Sequence, residues 1–226
     1  MFKTRFTLTS KKQLTHDVYE LMYSCSEFQE NTMIPGQYVL FQLLPGLNRA
    51  YSIASYRDQN FTLIIKRIPD GKGSPLICDA PIGTIFSGML PLGHFVLQDS
   101  SVSKCFIGTG TGFAPLYCMM NGCAKGEAIP ANIAFIFGVR ELQDVFYSSE
   151  IQELGSQFQD FKYITYLSRE ERDGYLRGYV TDWITPESIA IYQEFYLCGS
   201  PVMVKSAREK LEALGIEKEK IFWEQF

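Results

Sequence analysis

The segment KCFIGTGTGFAP, residues 104–115, decides the fold of the second half of the chain. A compact apolar run, 105–107, precedes glycines at positions 108, 110 and 112, and an apolar stretch follows them. Such a run is typical of a strand that is buried on both faces, and closely spaced glycines after it indicate a loop that leads into a helix. The segment therefore predicts a strand–loop–helix unit.

The same alternation continues toward the C-terminus. A helix is predicted over 201–214, because Ser200 stands in the N-cap position, Pro201 in the first turn and Gly215 at the stop. Alternating strands and helices predict an α/β domain with a parallel sheet and right-handed crossovers, residues 104–226. The further apolar runs are 133–137, 163–167, 195–198 and 221–223.

Toward the N-terminus the pattern is that of β-structure. Phe61, Leu63 and Ile65 share one face, as the two-residue period of a strand requires. Short runs separated by turn signals at roughly 8–12-residue spacing predict a small antiparallel β-barrel over residues 1–98. The polar stretch QDSSVS, 98–103, marks the boundary between the two domains. The predicted barrel runs are 5–10, 18–25, 38–43, 50–53, 61–68 and 95–97.

Composition excludes several classes of protein. Hydrophobic residues make up 46% and charged residues 20%, as in ordinary globular proteins. The net charge of −4 is unlike the basic surface of nucleic-acid-binding proteins, so no nucleic-acid partner is expected. The run 105–124 carries no charge, but Gly108, Pro115 and Asn121 interrupt it, so no membrane span is expected.

Cysteine and histidine usage bears on metal sites and compartment. The six cysteines form no Cys-x-x-Cys pair, and the two histidines lie far apart, so no metal site is expected. The first twelve residues lack the apolar stretch of a signal peptide. Free thiols in a reducing cytoplasm are therefore expected.

The glycine loop at 108–112 also suggests a ligand. Glycines let the backbone approach a pyrophosphate, and a helix N-terminus offers N–H groups and positive dipole charge. The alternative is a turn that only connects a strand to a helix. Phosphoryl transfer is disfavoured, because the loop lacks the lysine of a GxxxxGK[ST] motif.

The segment RAYSIAS, residues 49–55, lies on a predicted strand of the barrel. Alternation places Arg49 and Tyr51 on one face and Ala50 and Ser52 on the other, unless the strand is bent. A cation, an aromatic ring and a small hydroxyl so close together suit the phosphate, ring and edge of a flavin. A surface strand with mixed side chains is the alternative.

Seven motifs together resemble the ferredoxin–NADP reductase superfamily, in family order and over nearly the whole chain. The resemblance implies an FAD-binding barrel followed by an NAD(P)-binding α/β domain. The motifs are PGQY at 35–38, RxYSxxS at 49–55, GxGS at 71–74, GxxPxGxF at 88–95, GTGTGFAP at 108–115, FGVR at 137–140 and CGxPxM at 198–203.

For FAD, the resemblance implies a contact set in the barrel. Arg49 would pair with the pyrophosphate, Tyr51 would stack on the isoalloxazine and Ser52 would hydrogen-bond near flavin N5. Gly73 and Ser74 would close over the pyrophosphate. The remaining expected FAD contacts are Ala50 and Lys66.

For the nicotinamide nucleotide, the resemblance implies contacts in the second domain. Gly110, Thr111 and Gly112 would hold the dinucleotide, and Cys198 and Gly199 would border the nicotinamide. Cys198 has the alternative of a small buried hydrophobe at a strand end. The other expected contacts are Gly108, Thr109, Pro115, Arg140 and Met203.

The stretch Ser168-Arg169-Glu170 resembles the element that grips the 2′-phosphate in NADP-specific members. Arg172 and Arg177 are candidates to assist it, so NADP(H) is favoured over NAD(H). The alternative is a solvated loop whose charges largely cancel.

The chain's last residues resemble a strand end at which many relatives place an aromatic ring against the flavin. Phe226 would supply that ring and Glu224 would lie beside it, the alternative being a frayed tail. The candidate catalytic residues are Ser52, Cys198, Glu224 and Phe226.

The function that the resemblance implies is that of an FAD-dependent reductase. Hydride would pass from NAD(P)H to flavin N5, and single electrons then to a ferredoxin, a flavodoxin or a redox partner subunit, since the chain has no cluster-binding cysteines. The alternatives are a free-flavin reductase, which the clamp at 71–74 disfavours, and a non-catalytic subunit of a larger redox complex.

Overall fold

The computed structural model describes residues 2–126 and 129–226. The chain divides into two compact units. One comprises Met1–Leu97 with Tyr117–Met119, and the other Gln98–Leu116 with Met120–Phe226. Each unit is described in turn.

The first unit is a closed barrel of antiparallel strands in the order β1-β2-β5-β4-β3-β6. Alternation builds it: β1 buries Phe6 and Leu8 and exposes Arg5 and Thr9. The predicted barrel is therefore confirmed. Its strands are β1 Phe2–Gln13, β2 Val18–Ser24, β3 Tyr38–Leu44, β4 Leu47–Arg57, β5 Asn60–Lys66 and β6 Ile85–Leu92, with helix α1 Ser74–Cys78 before β6.

Aromatic rings fill the centre of the barrel. Phe6 meets Phe41 edge-on, with ring centroids 4.8 Å apart, and Tyr23 stacks on Phe61 at 5.4 Å. Such pairs stabilise a core beyond the area they bury. The run 95–97 is not a strand, contrary to the sequence prediction: Phe95 is buried, but the Leu97 N–H donates to the Pro35 carbonyl instead of joining a strand ladder.

The second unit is a parallel sheet in the order β10-β9-β8-β7-β11-β12. β7 and β8 are buried almost throughout, as expected of strands covered on both faces. The predicted α/β domain is confirmed. Its strands are β7 Lys104–Thr109, β8 Asn132–Val139, β9 Asp160–Leu167, β10 Leu176–Arg177, β11 Glu194–Gly199 and β12 Ile221–Gln225, and its helices are α2 Phe113–Lys125, α3 Ser148–Gly155, α4 Pro186–Ile189 and α5 Pro201–Ala213.

A buried ion pair joins the first residues of β7 and β11. Lys104 Nζ lies 2.8 Å from Glu194 Oε2, with side chains 1% and 5% exposed. Ser100 and Tyr196 hydroxyls also donate to the carboxylate, at 2.7 and 2.8 Å. Burial raises the pKa of Glu194, but the hydrogen bonds from Lys104, Ser100 and Tyr196 and the lysine's charge outweigh it, so the pKa is lowered. The network is satisfied at both charges and ties residue 100 to the sheet.

Within 2–126 and 129–226, no helix has the length and apolarity needed to cross a membrane. Across the same ranges, no group of three or more His, Cys, Asp and Glu side chains is placed to hold a metal ion.

Candidate functional site

Strand β4 holds the tyrosine of the proposed flavin site in a fixed position. The Tyr51 ring packs on the barrel core and lies edge-on to Phe41, with centroids 5.6 Å apart. Burial, then the neighbouring Cys78, raises the pKa of Tyr51 to about 12. The hydroxyl is therefore protonated at neutral pH, and a neutral ring is presented at this position.

The strand is bent where the sequence left that possibility open. The register between β4 and β5 shifts between Ile53 and Ser55, and Ile53 and Ala54 are both buried. Strict alternation therefore stops at this irregularity. Before it, Ala50 is exposed and Ser52 is half-buried.

Arg49 and Gly73 are brought together from two parts of the barrel. A Cβ added to Gly73 would lie 2.6 Å from Arg49 Cγ, so the stem of the arginine lies directly against the glycine backbone. The guanidinium donates to the Asn48 carbonyl at 2.7 Å, and no carboxylate pairs with it in the described part of the chain. We call Arg49, Tyr51, Gly73 and Ser74 the barrel cradle. A side chain at Gly73 would displace the arginine.

Two other expected flavin contacts have partners of their own. Ser74 is buried, and its hydroxyl oxygen accepts from the Ile68 N–H at 2.9 Å, so it closes the loop that leads to α1. The Lys66 ammonium lies 2.7 Å from Asp17 Oδ2. The structure therefore gives Ser74 a loop-closing role and gives Lys66 an ion-pair partner.

In the second unit, the loops after β7 and β11 pack backbone against backbone. A Cβ on Gly112 would collide with the Cys198 carbonyl, and one on Gly199, which has φ +145°, would collide with the Thr109 hydroxyl. Ser200 N–H donates to that hydroxyl at 3.3 Å. A Cβ on Gly110 would meet nothing within 4 Å, so the loop is open on that side. Ligands of open α/β sheets bind at such carboxyl ends of the strands.

Cys198 and Met203, the two residues of the CGxPxM motif that are expected near the nucleotide, also have packing roles in the second unit. Cys198 is completely buried, between Gly108 on β7 and Glu224 on β12 in the strand register. Burial, then Glu224, raises the pKa of Cys198 well above its ordinary value, so the thiol is neutral. Met203 packs in the core of the unit, and its N–H donates to the Ser200 hydroxyl at 3.3 Å.

The remaining residues of the glycine loop differ in exposure. Gly108 and Pro115 are buried, whereas Thr109, Gly110 and Thr111 are half-buried. Pro115 lies in the first turn of α2, where a missing N–H leaves no helical hydrogen bond unmade. The loop backbone is thus the part of this segment that is open to a ligand.

The end of the chain continues the pairing of β12. The Phe226 N–H donates to the Gly199 carbonyl at 3.3 Å, and the residue is 59% exposed. Its backbone is therefore held while its ring is largely open. The role of Phe226 toward a flavin stays a prediction.

The carboxyl ends of β8 and β9 bring two arginines together. Arg169 N–H donates to the Arg140 carbonyl at 2.9 Å, and the Ser168 hydroxyl donates to the Val139 carbonyl at 3.3 Å. No carboxylate pairs with either guanidinium among the described residues. Both groups are exposed.

The neighbouring charges are already engaged. Arg172 lies 3.4 Å from Glu170, whose other oxygen accepts from the Leu142 N–H at 2.8 Å, and Arg177 lies 3.5 Å from Glu171. Arg172 and Arg177, the candidates to assist the 2′-phosphate grip, are thus each paired with a carboxylate.

Sequence reasoning missed the link between Thr109 and Ser200. These residues lie 91 positions apart, and only the adjacency of β7 and β11 brings them together. The signal that was available is the choice of glycine at 112 and 199, since glycine permits such close backbone approach.

Two protein-family models match this chain, one in each of its two units. Residues 5–97 match the oxidoreductase FAD-binding domain, and residues 106–209 match the oxidoreductase NAD-binding domain. Together these two models cover most of the chain.

Two characterised relatives match along nearly the whole chain. The reductase component of propane 2-monooxygenase from Rhodococcus jostii (strain RHA1) is 33% identical over 98% of this chain and 63% of its own length. The electron transfer component of toluate 1,2-dioxygenase from Pseudomonas putida is 28% identical over 97% of this chain and 66% of its own length. The chain thus spans somewhat less than two thirds of the length of these relatives.

Solved structures share the fold at low identity. A cytochrome P450 reductase from Amycolatopsis superposes over 100% of this chain and 70% of its own with a TM-score of 0.89 at 24% identity. A ferredoxin NADP+ reductase from Neisseria gonorrhoeae covers 99% of this chain and 98% of its own with a TM-score of 0.82 at 19% identity. With an oxidoreductase FAD-binding domain followed by an oxidoreductase NAD-binding domain over most of its length, the chain belongs to the FAD/NAD oxidoreductases.

Proposed function

We propose that this chain is an FAD-dependent reductase that takes a hydride from NAD(P)H and passes single electrons to a ferredoxin- or flavodoxin-type protein or a redox partner subunit. The observation that carries the proposal is the barrel cradle, with its tyrosine ring fixed by packing. In it, Arg49 pairs with no carboxylate of the described residues, and its Cγ lies 2.6 Å from the position that a Cβ on Gly73 would take. The matched reductase component of a monooxygenase and electron transfer component of a dioxygenase support the same class of reaction.

The residues of the cradle fit FAD. The rigid donor fork of Arg49 suits a diphosphate, and the glycine leaves room for the arginine stem close to the backbone. The neutral Tyr51 ring suits stacking on a flat heterocycle. When bound, FAD would supply the conversion of a two-electron donor into one-electron steps.

The loops after β7 and β11 would hold the nicotinamide nucleotide. The backbone of Gly110 to Gly112 would approach its pyrophosphate, and Cys198 and Glu224 would border the nicotinamide. Because the buried Cys198 thiol is neutral, Cys198 would contribute only shape to the nicotinamide slot. The negative charge beside the nicotinamide would come from Glu224. Holding the reacting ring in one orientation lowers the entropy cost of hydride transfer.

NADP(H) is the proposed nucleotide, because of the two arginines at the ends of β8 and β9. Arg140 and Arg169 are joined through their backbones at 2.9 Å, and no carboxylate engages either side chain in the described residues. A 2′-phosphate would accept charge-assisted hydrogen bonds from them. NADH, which lacks that phosphate, would not.

The experiment that tests this function separates tight from loose flavin binding. The protein is loaded with FAD, passed through gel filtration, and assayed with NADPH and a panel of ferredoxins and flavodoxins. We expect a yellow protein that reduces at least one of these carriers. A colourless protein that reduces only added free flavin would identify a free-flavin reductase, and a yellow protein without NAD(P)H oxidation would identify a docking subunit.

A further inference from the structure

The second unit contains a cavity beside its sheet that the proposed function does not use. One wall is helix α3, through Ser148 and Gln152, and another is strand β9, through Tyr163 and Thr165. The volume of about 520 Å³ falls within the range of small-molecule sites, roughly 300–1,000 Å³.

The third wall is the segment that leads into β10. Gly174, Tyr175 and Leu176 line the cavity on that side. β10 pairs only with Tyr166 and Leu167, so the edge of β9 from residue 160 to 165 has no neighbouring strand in the described chain. A strand edge presents alternating N–H donors and C=O acceptors.

The polar groups around the cavity are all uncharged. The Tyr163 hydroxyl is buried and has no hydrogen-bond partner of good geometry. Burial raises the pKa of Tyr163, and the hydroxyls of Thr165 and Ser148 beside it moderate the rise. A ligand or water that meets this hydroxyl at better hydrogen-bonding geometry than Thr165 and Ser148 do is therefore favoured here. No Asp, Glu, Lys or Arg lines the cavity.

The cavity is displaced from the proposed nucleotide site. Of the β9 residues that line the cavity, Thr165 comes nearest to Ser168, three residues before it, which is roughly 10 Å along a strand at about 3.3 Å per residue. The proposed 2′-phosphate grip lies beyond the carboxyl end of β9, whereas the cavity lies along its side. We therefore expect a ligand in the cavity to leave the proposed 2′-phosphate grip accessible.

We propose that this cavity binds an uncharged, planar ligand with an amide-like edge, such as a lactam or imide ring. The tyrosine rings at 163 and 175 offer flat apolar contact, and the β9 edge, with the hydroxyls and the Gln152 amide, offers paired donors and acceptors. A charged ligand is disfavoured, because nothing in the lining would balance its charge. The inference goes beyond the proposed reductase function and does not depend on it.

Quinazolinone, a neutral bicyclic lactam, is the probe for this site. Titration into the flavin-loaded protein is expected to show saturable binding to one site, unaffected by an excess of NADP+. Ser148→Phe fills the cavity and is expected to weaken binding by about tenfold or more. Ser149→Phe is the matched control, because Ser149 is exposed and does not line the cavity, and it is expected to bind like the wild type.

A second variant keeps the test decisive if Ser148→Phe does not fold. Thr165→Val retains shape on a strand and removes one hydroxyl, so binding is expected to weaken about fivefold. Absence of saturable binding to the wild type would overturn the proposal. Displacement of the probe by NADP+, or equal binding to the wild type and every folded cavity variant, would overturn it as well.

Discussion

Arg49 is the residue whose removal tests the barrel cradle most sharply. Its guanidinium is exposed and makes one hydrogen bond, to the Asn48 carbonyl at 2.7 Å, so most of its donors remain for a ligand. Arg49→Ala would remove charge-assisted hydrogen bonds worth about 1.5–3 kcal/mol, which corresponds to roughly 10- to 150-fold weaker FAD binding. The free energy of unfolding is expected to change by less than about 0.5 kcal/mol, because the side chain is exposed.

The assay is the flavin content after gel filtration, together with the FAD dissociation constant from a flavin-fluorescence titration. Arg57→Ala is the matched control, since Arg57 lies exposed on the same strand outside the cradle, and it is expected to retain flavin. Arg49→Lys keeps the charge but loses the donor fork, so an intermediate affinity is expected. Unchanged FAD affinity in Arg49→Ala would refute the assignment of the cradle.

The other predictions concern the second unit. Arg169→Ala should raise the NADPH KM about tenfold or more and leave the NADH KM nearly unchanged, whereas Arg172→Ala should change both KM values little. Equal effects of Arg169→Ala on the two nucleotides would show that residues 168–170 are only a solvated loop. Cys198→Ala should retain flavin and slow its reduction by NADPH in stopped flow, and a wild-type rate would assign the thiol to packing. Glu194→Gln should destabilise the protein by about 3–5 kcal/mol in chemical denaturation, because it leaves a buried lysine charge without its partner. The pKa of the Glu194 carboxyl is lower in the folded protein than in the unfolded chain. The stability advantage of the wild type should therefore be complete above the unfolded pKa of about 4.3 and vanish as the pH falls through the lower folded pKa. Deletion of Phe226 should tighten nicotinamide binding and perturb the flavin spectrum without unfolding the protein, and an unaltered spectrum and affinity would leave this residue as a strand end.

The elements that sequence reasoning found are those with strong local signals. The predicted helix over 201–214 is α5, Pro201–Ala213, because its cap, its first-turn proline and its glycine stop are all local. The predicted strands over 18–25 and 38–43 are β2 and β3 within one residue at each end. For these elements, the hydrophobic periodicity and the helix-capping residues were sufficient to predict the structure.

The elements that were missed depend on partners distant in sequence. β6 contains Gly88 and Pro91, which resemble turn signals, yet it pairs with β1 on one side and β3 on the other. β10 has only two residues and owes its existence to the edge of β9. Tertiary pairing overrode the local propensity in both cases.

In the candidate site, too, some features could be predicted from the sequence and others could not. The resemblance placed Arg49 and Gly73 on one ligand, and the structure brings their atoms together, although no local rule predicts a contact across 24 positions. The ion pair between Lys66 and Asp17, and the bond from Ile68 to the Ser74 hydroxyl, depend on side-chain geometry that sequence patterns do not encode.

In the reaction that we propose, this one chain holds a flavin that accepts hydride from NAD(P)H. The most direct measurement mixes the FAD-loaded protein with NADPH, and separately with NADH, in the absence of oxygen and follows the visible flavin absorbance by stopped flow. We expect complete bleaching by NADPH, at a rate that saturates with concentration and at a lower half-saturating concentration than for NADH. A flavin that remains bound and oxidised at saturating concentrations of both nucleotides would contradict it.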